Sequence, residues 1–442
     1  MNKPWSQGVL CTKGRYFYHG DVPFFWLGDT AWRLFQCLNE EQTHRYLKNR
    51  KDKGYNVIQA VLLASVKFME GYEPCKIIHD DTMEDFISEK NEAYWQHVEM
   101  VVQMAADMGI YLALLPTWGD FAKINYLNND NAPEYMAFLN KRFDKYPNII
   151  WLLGGDIRGD VNYEMYNAAG AYLKTQSTNK LVGFHPFGRT SSSYWFNECA
   201  WLDFNQFQSG HRRYDQRDMK AWDDKTNSEP WHGEDSFKYV ENDLAKTPLR
   251  PVLDGEPSYE LIPQGLHDGT QPFWQAHHVR RYAWWPVLAG GAGHTYGDNA
   301  IMQMFGFGTK PAYSVEDTWD VALHHEGSGQ MQFLMDLMLE MDYTQCEPVQ
   351  SLLGNDVGEK EETIRIFGSN QVLAAYNYSG RNFTMHVPMD ADAWWFDPAS
   401  GVRSYFGQIK QNTDHNFTPP RKRFGHNDWV LLLKRADIGI KI

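Results

Sequence analysis

Through the first three quarters of the chain, short apolar runs alternate with longer stretches whose apolar residues recur at helical spacing. That alternation predicts parallel β/α units. The strand candidates span 24–27, 56–61, 110–115, 149–153, 181–184, 202–206, 251–254 and 292–296, and eight strands are what a closed barrel needs. Helical patterns fill most of the gaps: 40–53 with Asn39 as its N-cap, 92–108 with Val98, Val101, Val102 and Ala105 on one face, then 135–146, 163–175 and the aromatic-rich 273–287. From about Pro348 the pattern changes. Gly, Asn, Asp and Pro punctuate β-prone runs at 363–367, 372–376, 383–387, 393–396 and 429–433, and Asp397-Pro398-Ala399-Ser400-Gly401 reads as a turn. The expected architecture is α/β: a (β/α)8 TIM barrel over 1–347 followed by a small C-terminal antiparallel β-sandwich over 348–442.

Composition narrows the function. Hydrophobic residues make up 43% and charged residues 22%, ordinary for a soluble globular chain. Aromatics reach 15%, which suits sugar stacking and equally suits the cores of a barrel and a sandwich. A net charge of −14 argues against nucleic acid as a partner, because that affinity rests on Lys and Arg neutralising phosphates. It argues equally against an anionic membrane surface, and no apolar run is long enough to span a bilayer. An acidic sugar stays open, since a pocket can be locally basic on an acidic protein. The five cysteines (Cys11, Cys37, Cys75, Cys199 and Cys346) form neither a disulfide framework nor a zinc pattern. The first residues lack the apolar core of a signal peptide. The expected location is therefore cytoplasmic, or periplasmic or secreted if a leader has been removed. The expected assembly is a monomer or a weak homo-oligomer.

Active sites in such barrels lie at the C-terminal strand ends. The polar residues there are Asp29, Gln59, Trp118, Asp120, Asp156, Arg158, His185, Gln208, His211, Glu256, His294 and Tyr296. Asp156 and Glu256 follow strands four and seven, which face one another across a barrel mouth. Two carboxyls flanking one bound group are what glycoside hydrolysis needs: one protonated to donate to the leaving oxygen, the other ionised to attack or to activate water. Gly154, Gly155 and Gly255 beside them are expected to keep backbone bulk away from an incoming sugar. Asp29 can bind a sugar hydroxyl or cap the helix beginning near Ala31; Trp32 follows it. Trp118 suits a stacking platform or barrel-rim packing. His185, His211 and His294 suit hydroxyl donation or purely structural bonds. Arg158, Arg189, Arg212 and Arg213 suit either a sugar carboxylate or the solvated surface. The histidines lack metal-ligand spacing, so no metal and no cofactor are expected. Gly290-Gly291-Ala292-Gly293 is not followed by the helix of a dinucleotide fingerprint, and the Ser191-Ser192-Ser193 run has no nucleophile-elbow pattern.

With these residues in hand the chain resembles the apiosidase-like glycoside hydrolases, in particular glycoside hydrolase family 140. The matching segments are Phe25-Trp26-Leu27-Gly28-Asp29-Thr30-Ala31-Trp32, Trp151-Leu152-Leu153-Gly154-Gly155-Asp156, Asp203-Phe204-Asn205-Gln206-Phe207-Gln208-Ser209-Gly210-His211, Pro251-Val252-Leu253-Asp254-Gly255-Glu256-Pro257 and Gly290-Gly291-Ala292-Gly293-His294-Thr295-Tyr296-Gly297. In the tail, Trp395-Phe396-Asp397-Pro398 with Gly401 is similar to the small β domain that ends such proteins.

The resemblance implies a retaining mechanism, with Asp156 as acid/base and Glu256 as nucleophile. It also implies release of apiose from the pectic polysaccharide rhamnogalacturonan II or from apiosylated plant glycosides. Related barrels more often carry Asn-Glu after the fourth strand, where Gly155-Asp156 stands here. Asp29, Trp32, Gln59, Trp118, His185, Gln208, His211, His294 and Tyr296 are the expected substrate-binding set. Alternatives on the same scaffold are an arabinofuranosidase or an endoglycanase, and, from another class, a non-catalytic carbohydrate-binding protein.

Overall fold

The computed structural model describes residues 3–65, 77, 82–177, 179–216, 232–306 and 308–437. Three short strands come first: β1 (Leu10–Lys13), β2 (Tyr16–His19) and β3 (Val22–Phe24), an antiparallel sheet. Phe17 on β2 lies 5.6 Å from Trp26 and 5.5 Å from Phe204, and His19 stacks on Tyr111 at 5.7 Å. This sheet packs across the N-terminal end of the barrel. It does so with aromatic side chains too closely spaced to announce three strands in the sequence.

The barrel strands are β4 (Trp26–Thr30), β5 (Val57–Leu63), β6 (Tyr111–Thr117), β7 (Ile149–Ile157), β8 (Val182–Pro186), β9 (Asn205–Phe207), β10 (Val252–Asp254) and β11 (Gly293–Tyr296). All pairings among them are parallel, in the order β11-β4-β5-β6-β7-β8, with β9 paired to β10. Single backbone bonds bridge the two remaining seams: Asp203 N donates to Val182 O at 2.9 Å, and Ala292 N to Val252 O at 2.8 Å. The ring is thereby closed, an eight-stranded (β/α)8 barrel.

Side chains alternate across the wall as a pleated strand requires. Val57, Val61, Ala113, Leu115, Ile150 and Leu152 pack inside, whereas Ile58, Ala60, Leu62, Leu112, Leu114, Trp151 and Leu153 meet the surrounding helices. Helix Glu40–Asp52 begins at Asn39, whose side chain accepts from Gln42 N while Gln42 Oε1 accepts from Asn39 N, both at 3.0 Å. Helix Glu92–Met108 ends at Gly109 in the left-handed conformation, with φ 73°. The remaining long helices are Ala132–Phe143, Tyr163–Gln176, Phe237–Leu244, Ala276–Leu288 and Glu326–Glu340. Strand β7 runs four residues past the expected end at 153, because Gly154 and Gly155 let the chain bend without leaving the sheet.

The C-terminal strands are β12 (Glu347–Pro348), β13 (Ile364–Gly368), β14 (Val372–Asn377), β15 (Phe383–Val387), β16 (Ala391–Phe396), β17 (Arg403–Ile409), β18 (Thr413–Phe417) and β19 (Trp429–Arg435). They form a six-stranded sheet, β12-β13-β14-β19-β16-β17, and a two-stranded sheet, β15-β18, all antiparallel. Ile364, Ile366, Leu373, Trp395, Leu431, Leu433 and Phe417 fill the space between them.

The other face of the large sheet is pressed on the barrel. Trp284 stacks on Tyr376 at 5.5 Å, and Arg280 forks onto Asp428 with two bonds of 2.8 Å. Strands β17 and β18 were not apparent from the sequence, because their side chains are mostly exposed and polar. Of the five cysteines, Cys75 lies outside the described residues, and the other four form no disulfide among the described residues. Among the described residues no helix is long and apolar enough to cross a membrane.

Candidate active site

The C-terminal ends of β4, β6, β7, β9 and β10 surround a cavity of about 370 Å³. Asp156, Glu256, Trp32, Trp118, Gln208 and His211 all line it, joined by Tyr259, Tyr313 and Met302. The two carboxylates of the sequence reading thus face one space.

Asp156 reaches it through an unusual backbone. Gly154 and Gly155 take φ of 91° and 100°, and Asp156 itself takes 54°. A Cβ on Gly154 would come within 2.3 Å of the His185 carbonyl oxygen, so only glycine can pass so close to β8. The glycines make room for the protein's own backbone rather than for a ligand, a correction to the expected reason. Gly255 is similar: a Cβ there would meet the Gln206 side chain at 2.2 Å. Holding a non-glycine residue such as Asp156 in the left-handed region costs about 1–2 kcal/mol. That strain is sustained by the bulge in the β7–β8 register between Gly154 and Ile157.

Two histidines grip Glu256. His211 Nε2 lies 3.0 Å from Oε1, and His185 Nε2 lies 3.3 Å from Oε2, outside good hydrogen-bond alignment. Asp156 N donates to His185 Nδ1 at 3.3 Å, so that nitrogen accepts and the ring proton sits on Nε2, facing Glu256. His185 is completely buried, with its ring against Trp32 at 5.1 Å and Trp118 at 6.1 Å. One imidazole therefore touches the backbone of one carboxylate residue and the side chain of the other.

The electrostatics push the two acids apart. Burial alone would raise Glu256, but its contacts with His185 and His211 outweigh that and bring it down to about 2. Asp156 goes the other way. Burial first and the Glu256 charge second raise its carboxyl, against the opposing pull of Lys123, His185 and Arg189. Tyr313 lies near both acids; burial and their charges push its phenol up to about 12. One carboxyl pushed down and its neighbour pushed up is the split that an acid–base pair requires.

The remaining expected residues lie away from the cavity, Gln59 within the barrel and Asp29 turned toward helix Glu40–Asp52. Asp29 is fully buried and accepts from Tyr46 Oη at 2.6 Å and Arg50 Nε at 2.5 Å. Gln59 donates to Gly255 O at 2.8 Å and accepts from Gln206 Nε2 at 2.6 Å. Tyr296 Oη donates to Glu260 Oε2 at 2.5 Å. His294 is buried, and burial drops its pKa to about 3. These four line no part of the cavity. Asp120 accepts from Ser65 Oγ at 2.6 Å, Arg158 pairs with Asp160 at 2.8 Å, and Arg213 pairs with Asp215 at 3.0 Å.

Arg189 and Arg212 do line the cavity, and Lys123 joins them. Lys123, Tyr259, Met302 and Tyr313 escaped the sequence reading. They come from short helices after β6 and β11 and from loops beyond β10 and β11, where no strand end marks them. Among the described residues no group of His, Cys, Asp and Glu is arranged to hold a metal ion.

Residues 11–345 match a family model described as "Apiosidase-like, catalytic domain". The chain belongs to the apiosidase-like family. Residues 348–434 of this apiosidase-like chain match a second model, described as "Putative collagen-binding domain of a collagenase". Among solved structures, one described only as a glycoside hydrolase is 38% identical with a TM-score of 0.91, the match covering 99% of each chain. Another, described as a glycoside hydrolase family 5 protein from Bacteroides vulgatus, is 37% identical with a TM-score of 0.90. That match covers 98% of this chain and 95% of the other. No curated protein is similar enough to count as a match. The apiosidase-like chain is a glycoside hydrolase.

Proposed function

We propose that this glycoside hydrolase, a member of family 140, works by retention and releases apiose from rhamnogalacturonan II side chains or from apiosylated plant glycosides. The observation that carries the reading is the split between two carboxyls lining one cavity: Glu256 brought down by two histidines, Asp156 raised by burial and by the Glu256 charge. In this reading Glu256 attacks the anomeric carbon while Asp156 gives its proton to the leaving oxygen. The glycosyl ester on Glu256 is then hydrolysed by a water that Asp156 deprotonates.

Formation of the ester removes the charge of Glu256 and with it part of what raises Asp156. The acid of the first step becomes a better base for the second. The imidazoles of His185 and His211 stay within reach of the reacting oxygens throughout.

Trp32 and Trp118, 5.3 Å apart and crossed at 60°, make an aromatic wall for the sugar. Gln208 Oε1 has no hydrogen-bond partner among the described residues, which suits it to a sugar hydroxyl. Lys123, Arg189 and Arg212 make the lining cationic on a chain of net charge −14, which favours an acidic residue beyond the scissile bond. The unit over 1–347 carries this chemistry, and that over 348–442 braces it through its contact with helix Ala276–Leu288.

The test is product analysis on a panel of aryl apiosides, arabinofuranosides and pectic oligosaccharides. Apiose as the released sugar supports the reading. Arabinose or internal chain cleavage contradicts the substrate, and sugar binding without turnover contradicts the reaction.

A further inference from the structure

Behind Glu256 lies a carboxyl for which the proposed reaction has no direct use. Asp254, the last residue of β10, is fully buried. Its Oδ1 accepts from Glu256 N at 3.3 Å and from Ser209 N at 3.4 Å, and its Oδ2 is hydrogen-bonded to Ser209 Oγ. Around it the β9–β10 pairing continues past both strand ends: Gly255 N donates to Phe207 O at 2.8 Å, and Gly210 N to Glu256 O at 3.1 Å. Two residues beyond Ser209, the His211 side chain returns to Glu256 Oε1. The circuit is closed: Asp254 to Ser209, along the 209–211 segment to His211, across to Glu256 and back.

We propose that Asp254 is a positioning residue that ties Glu256 and the 209–211 segment into one unit, so that His211 stays in register with the carboxylate it serves. The inference rests on Glu256 being the reacting carboxylate. The titratable groups that face Asp254 are Glu256 beside it, Tyr259 after the strand, Tyr239 from helix Phe237–Leu244 and Tyr282 from helix Ala276–Leu288. All are acids. Burial holds Asp254 protonated up to about 8, and its hydrogen bonds only moderate this.

A neutral carboxyl offers one bare oxygen and one O–H, and an amide likewise presents a bare oxygen on one arm and a donor on the other. Oδ1 then takes both backbone N–H groups while the O–H meets Ser209 Oγ. The lock adds no second negative charge beside Glu256. It also follows that asparagine can replace this aspartate, whereas alanine cannot.

The experiment records the ¹⁵N-edited imidazole spectrum of His211 in the full-length chain without substrate, for wild type, Asp254→Asn and Asp254→Ala. The Nε2–H resonance of a hydrogen-bonded ring is expected in wild type and in Asp254→Asn, and it is expected to be lost or exchange-broadened in Asp254→Ala. On an activated aryl glycoside, kcat is expected to fall about tenfold or more in Asp254→Ala with KM nearly unchanged, and the asparagine variant to restore it. If Asp254→Ala does not fold, Ser209→Ala removes the Oδ2 bond alone and is expected to shift the same resonance by less.

An unchanged His211 signal in folded Asp254→Ala overturns the proposal, and so does an asparagine variant as damaged as the alanine one. The spectrum needs no turnover. A wild type without glycosidase activity would therefore defeat the functional reading while the spectrum still decides the role of Asp254.

Discussion

His211 Nε2 stands 3.0 Å from Glu256 Oε1, and the ring leaves its Nδ1 buried without a partner among the described residues. With Glu256 ionised, the Nε2 proton is donated to one carboxylate oxygen. His211→Ala removes that donor from a buried acid. Glu256, now at about 2, then moves up toward its ordinary range. Wild-type kcat/KM is expected to stay flat down to about pH 4 on the acid side, and the variant to acquire an acid limb above that. The depressed carboxyl also contributes stability that is complete above the unfolded value of about 4.3 and is lost as pH falls toward about 2. The variant should lose stability relative to wild type at pH 6, and the gap should shrink as the pH drops. Thermal melts at pH 6 and at about pH 3 check this.

Glu256→Gln should end turnover, with a loss of about 10³-fold or more. It should also change Asp156, because the Glu256 charge is the second cause of that raised carboxyl after burial. Removing the charge leaves burial alone to hold the proton, so Asp156 is expected to titrate at lower pH in the variant. A ¹³C-carboxyl titration reads the shift, and an Asp156 that titrates unchanged would place the two acids too far apart to be partners.

Asp156→Ala removes the proton donor and spares the nucleophile. Substrates with poor leaving groups should lose about 10²–10⁴-fold, while activated aryl glycosides lose much less in the first step. The leaving-group dependence of kcat/KM across an aryl series is the measurement. Equal losses across the series would contradict the role.

Away from the site, Arg280 and Asp428 form a buried fork between the barrel and the large C-terminal sheet, with Tyr376 Oη donating to the same carboxylate at 3.1 Å. Asp428→Ala strands a buried guanidinium and is expected to cost about 3–5 kcal/mol. Urea denaturation reads that loss, with activity below the transition largely preserved.

The barrel was legible because most of its strands are buried on both faces and read as apolar runs, and all eight emerged near their observed places. Asp156 and Glu256 were legible because each ends such a run beside glycine. What the sequence could not separate was a strand-end side chain rising into the mouth from one sinking into the interior. Asp29 looks like a ligand until Arg50 and Tyr46 on the following helix are seen to hold it. Gln59 looks like a rim residue until its amide is found supporting Gly255 O. Tyr313 and Lys123 lie on segments without periodicity, so their arrival at the cavity depends on how long loops fold back. β17 escaped notice because its residues from Arg403 to Gln408 are largely solvent-facing and carry no alternating apolar signal.

The most direct test of the account is to trap the intermediate. Asp156→Ala, incubated with an activated aryl glycoside and quenched, should yield a peptide containing Glu256 that carries one glycosyl mass, and the wild-type product should first appear as the retained anomer by NMR. An inverted product with no adduct, or an adduct on any other carboxylate, would contradict it.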